Sequence, residues 1–131
     1  MVSSIINTSD TKFDTAEDSR RLFNLTDSDL AALKVLGEHL TPKMDTFVKE
    51  FYVWLKTLPE FEVFFPDQAM VDHVKTLQRE YWQNVFDGKI DQPYIERRQM
   101  VGEVHARIGL PLGIYFAAMN HAVTLFTVTL Y

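Results

Sequence analysis

Five prolines, Pro42, Pro59, Pro66, Pro93 and Pro111, cut this chain into pieces of helix length. Proline has no backbone N–H and clashes with the preceding turn, so it opens or ends helices and does not sit inside them. Between the prolines, apolar residues recur at spacings of three and four, the period of an amphipathic helix. Leu30, Leu33, Leu36 and Leu40 make one row. Met44, Phe47, Val48, Phe51, Tyr52, Leu55 and Leu58 make a second, and Met70, Val71, Val74, Leu77, Tyr81 and Val85 a third. Ile114, Tyr115, Ala118, Ala122, Leu125 and Val128 predict the inward face of the last. The expected fold class is all-α, with six or seven crossing helices of unequal length.

Start and stop signals set the expected boundaries. Thr26 with Asp29 three residues on reads as a short capping box for a helix running to about Leu40. Thr41-Pro42 restarts the chain, Thr41 as cap and Pro42 at the first helical position. Leu58-Pro59 ends that helix. Residues 59–65 predict one short turn carrying Phe61, Phe64 and Phe65. The next helix spans about Asp67 to Asp87, with Asp87-Gly88 as its stop. Asp91-Gln92-Pro93 begins another, and Pro111-Leu112 the last. The β-branched stretch from Val123 to Tyr131 is read as helix because Ile114 to Leu125 sets the period first. Residues 1–20 are polar and predict a flexible lead-in with a short helix around Thr15–Leu22; residues 21–131 form the domain.

Within this frame the informative stretch is Val101 to Pro111. Val101, Val104, His105 and Ile108 share one helical face, and Gly109 and Pro111 end the helix just past the histidine. A histidine on an apolar face near a helix end is either packed and hydrogen-bonded or bound to something in the core. Spacing alone favours the first, since His105 has no companion at metal-ligand distance along the chain. His73, His39 and His121 likewise stand alone.

Composition narrows the function classes. The chain has 131 residues, enough for one domain, and a net charge of −5 with no basic stripe, so nucleic acid is not an expected partner. With no cysteine there is no disulfide framework, thiolate nucleophile or Cys-type metal site. The N-terminus lacks the basic start and apolar run of a signal peptide. No segment is expected to reach the ~20 apolar residues of a membrane span. A cytoplasmic location is the expectation. Ten Phe, five Tyr and two Trp suit a core that lines something large and flat, and suit plain packing as well.

The run Val104-His105-Ala106-Arg107-Ile108-Gly109-Leu110-Pro111, with Tyr115 ten residues past the histidine, resembles the proximal segment of the globin-coupled sensors. These are bacterial haem-binding globin domains joined to a signalling output module. The likeness extends in order from about Leu22 to the C-terminus. It implies a globin-like sensor fold, haem b (iron protoporphyrin IX) as cofactor, and His105 as the iron ligand. An extra N-terminal helix anchored by Phe13 and Phe23 is implied too. Phe51-Tyr52 resembles the family's Phe-Tyr pair, whose tyrosine hydroxyl reaches the bound gas. A phenol O–H favours O₂, which draws negative charge, over CO; NO is also a candidate ligand. Val74 matches the position above the iron, where related members tend to carry leucine. Leu77, Tyr81, Trp82, Val101 and Ile108 are implied as further pocket residues, and Tyr115 as the group that orients His105. Arg97, Arg98, Lys75 and Arg107 are possible propionate partners, although solvated surface suits each of them.

The resemblance also implies partners outside the chain. The Val-His-Ala-Arg-Ile-Gly-Leu-Pro form resembles members whose output is a diguanylate cyclase, whereas Tyr115 resembles members linked to chemotaxis signalling or a histidine kinase. The domain itself is not expected to be an enzyme: no distal His–Arg pair or thiolate ligand promotes O–O cleavage. A globin needs one more long helix than this sequence supplies, so an uncovered apolar face is expected, and a homodimer through the outer helices would cover it. The competing reading is a cofactor-free all-α interaction domain.

Overall fold

The computed structural model describes residues 15–131. The first fourteen residues of the expected lead-in, Phe13 among them, lie outside the described residues. Seven α-helices follow in order: α1 Ala16–Leu22, α2 Asp27–Leu40, α3 Met44–Leu55, α4 Phe61–Phe64, α5 Gln68–Phe86, α6 Gln92–Arg107 and α7 Leu112–Leu130. The described residues contain no strand.

Local chemistry accounts for most of the boundaries. The Thr15 side chain accepts from the Asp18 N–H and caps α1. Thr26 and Asp29 form a complete capping box on α2. Asp67 and Asp91 accept from the N–H groups of Met70 and Tyr94, at 2.8 and 3.0 Å, and start α5 and α6. The joint between α2 and α3 differs from expectation. Thr41 is not an N-cap: its own backbone is helical, and Thr41–Lys43 is a 3₁₀ turn that leaves the helical region only at Lys43, φ −105°, before α3. The α3 helix also ends at Leu55, not Leu58, because Thr57 and Leu58 donate to the carbonyls three residues back and tighten the turn.

The core lies between α2, α3, α5 and α7. Leu40, Met44, Phe47, Val48, Phe51, Tyr52, Val71, Trp82, Phe86 and Ala122 form one buried cluster. At about 1.5–3 kcal/mol for each large apolar side chain removed from water, this cluster dominates the stability of the fold. Its centre is aromatic. Phe47 stacks on Phe126 with centroids 4.0 Å apart, and Trp82 meets both rings edge-on. The α2 helix approaches α5 closely because residue 37 is glycine: a Cβ there would sit 2.6 Å from that of Phe86.

Two apolar expectations are corrected. Phe23, expected as an anchor, is 70% exposed, since it caps the end of α1 and points off it. Val128, expected on the inner face of α7, is 69% exposed, and Phe126 takes the core position instead. Asn120, Thr124 and Thr127 form an exposed polar stripe on α7, and Phe126, four residues past the buried Ala122, lies on the opposite side, whereas Val128 lies off that face. The 19 residues of α7, with mean hydropathy 1.3, make it long and apolar enough by length and composition to cross a membrane, which the sequence reading did not expect of any segment. In this fold it packs against α2 and α3 and gives Ala122 and Phe126 to the core.

Candidate functional site

The last turn of α6 places His105. Gly109 adopts the left-handed conformation, φ 70°, which glycine reaches without a Cβ penalty. That lets the Leu110 N–H donate to the His105 carbonyl and the Gly109 N–H to the Ala106 carbonyl, both at 3.1 Å. These two bonds form a Schellman cap, which satisfies the carbonyls at the helix end and fixes the backbone of residue 105. The His105 ring is half-buried and meets the Tyr115 ring at 5.7 Å between centroids, inclined by 62°. Burial lowers its pKa below the ordinary 6.5. The imidazole is therefore neutral at pH 7, with one nitrogen lone pair available, and no hydrogen bond engages its nitrogens among the described residues.

Tyr52 sits on α3 and is only 2% exposed. The rings of Phe51 and Phe65 flank it at 5.7 and 5.9 Å, and Lys75 Nζ lies 5.3 Å from its ring centroid. Its hydroxyl finds no hydrogen-bond partner among the described residues, and burial pushes its pKa well above the usual phenol value. An O–H donor with no protein partner is available to any acceptor that enters.

The α5 and α6 helices are joined by a short turn. Near the turn they meet where the Arg98 guanidinium lies 3.9 Å from the Tyr81 ring centroid. Seven residues back along α5 from Tyr81 is Val74, and seven residues on along α6 from Arg98 is His105. Each is about 10 Å along its helix from that contact. Yet α6 packs closely only on α1, and its contact with α5 and α7 is sparse. Tyr81–Arg98 is a direct contact between α5 and α6, and we call the stretch beyond it, away from the turn and toward Val74 on α5 and His105 on α6, the wedge. Leu77 on α5 and Val104 and Ile108 on α6 are left 47%, 45% and 50% exposed, although all three are aliphatic.

The expected site residues divide into two groups. Val101 and Tyr115 are half-buried, and Val101 lies one turn from His105 on α6. Val74 is half-buried against the core and Tyr81 packs edge-on against Trp82 at 5.1 Å. Phe51 and Trp82, in contrast, belong to the aromatic core, Trp82 among Phe47, Phe86 and Phe126. Tyr115 contacts His105 through its ring and makes no hydrogen bond to it. His73 and His39 are exposed, and His121 stacks on Trp54 at 4.5 Å. Arg97 and Arg107 are exposed as well. Arg98 is not: it lies between the rings of Tyr81 and Tyr94, at 3.9 and 4.1 Å. Sequence reasoning treated Arg98 as surface. Its spacing of seven from His105, on the same helical face, was the available signal.

Among the described residues no group of three His, Asp or Glu side chains could hold a bare metal ion. A lone neutral imidazole suits a metal that brings its other ligands with it, as the iron of a haem does. Half-exposed aliphatic side chains along the wedge suit a flat apolar macrocycle. A groove of about 590 Å³ elsewhere, lined by Ala16, Arg20, Thr26 and Ile90 among others, includes none of these residues. The Protoglobin family model matches residues 14–130.

Proposed function

The chain belongs to the Protoglobin family, and on that premise we propose that it is a haem-based gas-sensing domain with His105 as the proximal ligand and Tyr52 as the distal donor. Protoglobins bind haem and diatomic gases such as O₂. The observation that carries the assignment to these residues is a neutral His105 whose nitrogens are free of hydrogen bonds, on the same helix as the half-exposed Val104 and Ile108.

The haem, of the b type, supplies an iron that takes a diatomic gas. The remaining work belongs to the chain. His105 offers its lone pair without first losing a proton, because burial already keeps it neutral. The Schellman cap at Gly109 holds that residue's backbone in place. Tyr115, against the imidazole, restricts rotation of the ring. Val74, Leu77, Val101 and Ile108 would supply apolar contact to the macrocycle and shield it from water. Tyr52 would offer an O–H donor that no protein acceptor engages, so a ligand that draws negative charge would be favoured over one that does not. O₂ is the gas this arrangement favours, with CO and NO as further ligands.

Signal relay lies beyond the site. Leu112, Phe116 and Val123 leave an apolar face on α7, which fits pairing with a second copy through the outer helices. The sequence around His105 resembles sensors that drive a diguanylate cyclase, and that is the output proposed for the parent protein, with chemotaxis or histidine-kinase output as the alternative. A cytoplasmic location accords with such an output.

The test is a titration of the haem-free protein with haem, followed in the visible spectrum. The expected result is a sharp Soret band that saturates at one haem per chain. A spectrum that remains that of free haem would remove the proposal.

A further inference from the structure

We propose that Arg98 is the positioning residue of the site: it ties α6 to α5 where the wedge begins and so sets how far His105 stands from the opposite helix. This rests on the haem reading above. The tie has three parts. The guanidinium stacks on Tyr81 of α5 and Tyr94 of its own helix, at 3.9 and 4.1 Å. Its Nη2 donates to the Tyr81 carbonyl at 3.4 Å. Its Nε is buried without a partner, and no carboxylate pairs with it among the described residues, so nothing there competes for the guanidinium.

The geometry makes this contact decisive because little else holds α6 to α5. Of the residues of α6, Ile95 alone is fully buried, and the helix packs closely only on the short α1. An α-helix is stiff over two turns, so its pitch against α5 is fixed where it is fastened. His105 lies about 10 Å along α6 from Arg98, and Val74 the same distance along α5 from Tyr81. A small rotation at the fastening becomes a displacement of the imidazole relative to the helix it faces. A planar guanidinium between two rings resists such rotation, whereas a lysine ammonium, a rotatable point charge, does not.

The chain has no cysteine, so a pair of spin labels reports the wedge directly. Thr76 and Glu103 are exposed, and each lies five residues from the tie on its own helix. With labels at Thr76→Cys and Glu103→Cys, the distance distribution is measured with and without haem. In parallel, haem loss to an excess of an apo-globin acceptor is timed in the unlabelled protein, and the iron–histidine stretching band of the ferrous form is recorded. Arg98→Gln and Arg98→Lys are expected to broaden the distance distribution, to speed haem loss about tenfold and to shift or broaden the stretching band. Glu96→Gln, an exposed change two residues from Arg98 on the same helix, is expected to behave as wild type. Tyr81→Leu added to Arg98→Gln is expected to cost no more than Arg98→Gln alone, since both cut one tie. A distance distribution unchanged by Arg98→Gln would overturn the tie whatever happens to haem. A broadened distribution with haem loss and band unchanged would overturn the positioning role. If wild type takes up no haem while the labels still respond to Arg98→Gln, the haem reading and the positioning role fall together, and the tie alone remains.

Discussion

The imidazole of His105 and the phenol ring of Tyr115 lie 5.7 Å apart across the turn between α6 and α7, inclined at 62°. Edge-to-face contact of this kind contributes about 0.5–1.5 kcal/mol and, more to the point, limits the rotation of the imidazole. The relationship depends on the chain reversing between residues 107 and 112, and that reversal depends on one left-handed glycine.

Gly109→Ala tests that dependence. A Cβ at residue 109 meets nothing within 4 Å, so the cost is purely conformational. With φ at 70° that cost is about 1–2 kcal/mol. The expected outcome is a Tm lower by several degrees in the haem-free protein, with a further loss of haem affinity as the cap on the His105 carbonyl loosens. A Tm equal to wild type would mean that the left-handed turn is not maintained.

Tyr52→Phe separates the fold from the function. Because the hydroxyl has no partner among the described residues, removing it breaks no hydrogen bond. The haem-free variant is expected to be as stable as wild type. In the haem-loaded protein, loss of a charge-assisted hydrogen bond of about 1.5–3 kcal/mol is expected to speed O₂ dissociation at least tenfold. CO dissociation should change little. Stopped-flow exchange measures both; equal effects on the two gases would take Tyr52 out of the ligand contact.

The lowered pKa of His105 gives a pH dependence of defined sign. Folded His105 binds its proton less readily than the unfolded chain, whose value is near 6.5. The unfolded state therefore gains protons first as pH falls. Stability of the haem-free protein should be undiminished by this residue above about pH 6.5 and decline below it. Haem affinity should fall at lower pH still, where the folded imidazole itself takes up a proton that competes for the lone pair. In His105→Gln the decline should be shallower, as urea titrations between pH 5 and 8 would show.

Much of the framework was readable from single residues. The caps at Thr26, Asp67 and Asp91 and the stops at Gly88 and Gly109 were legible because each acts through its own backbone neighbours. His105 stood out through its apolar face and its surrounding run. The joint at Thr41 was missed because a cap signal cannot distinguish a fresh helix from a 3₁₀ continuation that shares the same Thr-Pro. Phe126 was missed, and Val128 wrongly preferred, because the row was extended three residues from Leu125 to Val128, when four from the buried Ala122 reaches Phe126, opposite the polar stripe of Asn120, Thr124 and Thr127. Trp82 was expected beside the pocket and lies in the aromatic core, since one face of α5 serves both. Arg98 was invisible as a tie because its partners, Tyr81 and Tyr94, are brought together only by the turn between α5 and α6.

The most direct measurement is the visible spectrum of His105→Ala against wild type, each loaded with haem and then supplied with free imidazole. Wild type should show the Soret band of a histidine-ligated haem. The variant should lose that band or bind haem far more weakly, and added imidazole should restore it. A variant whose spectrum and haem affinity match wild type would contradict ligation through residue 105.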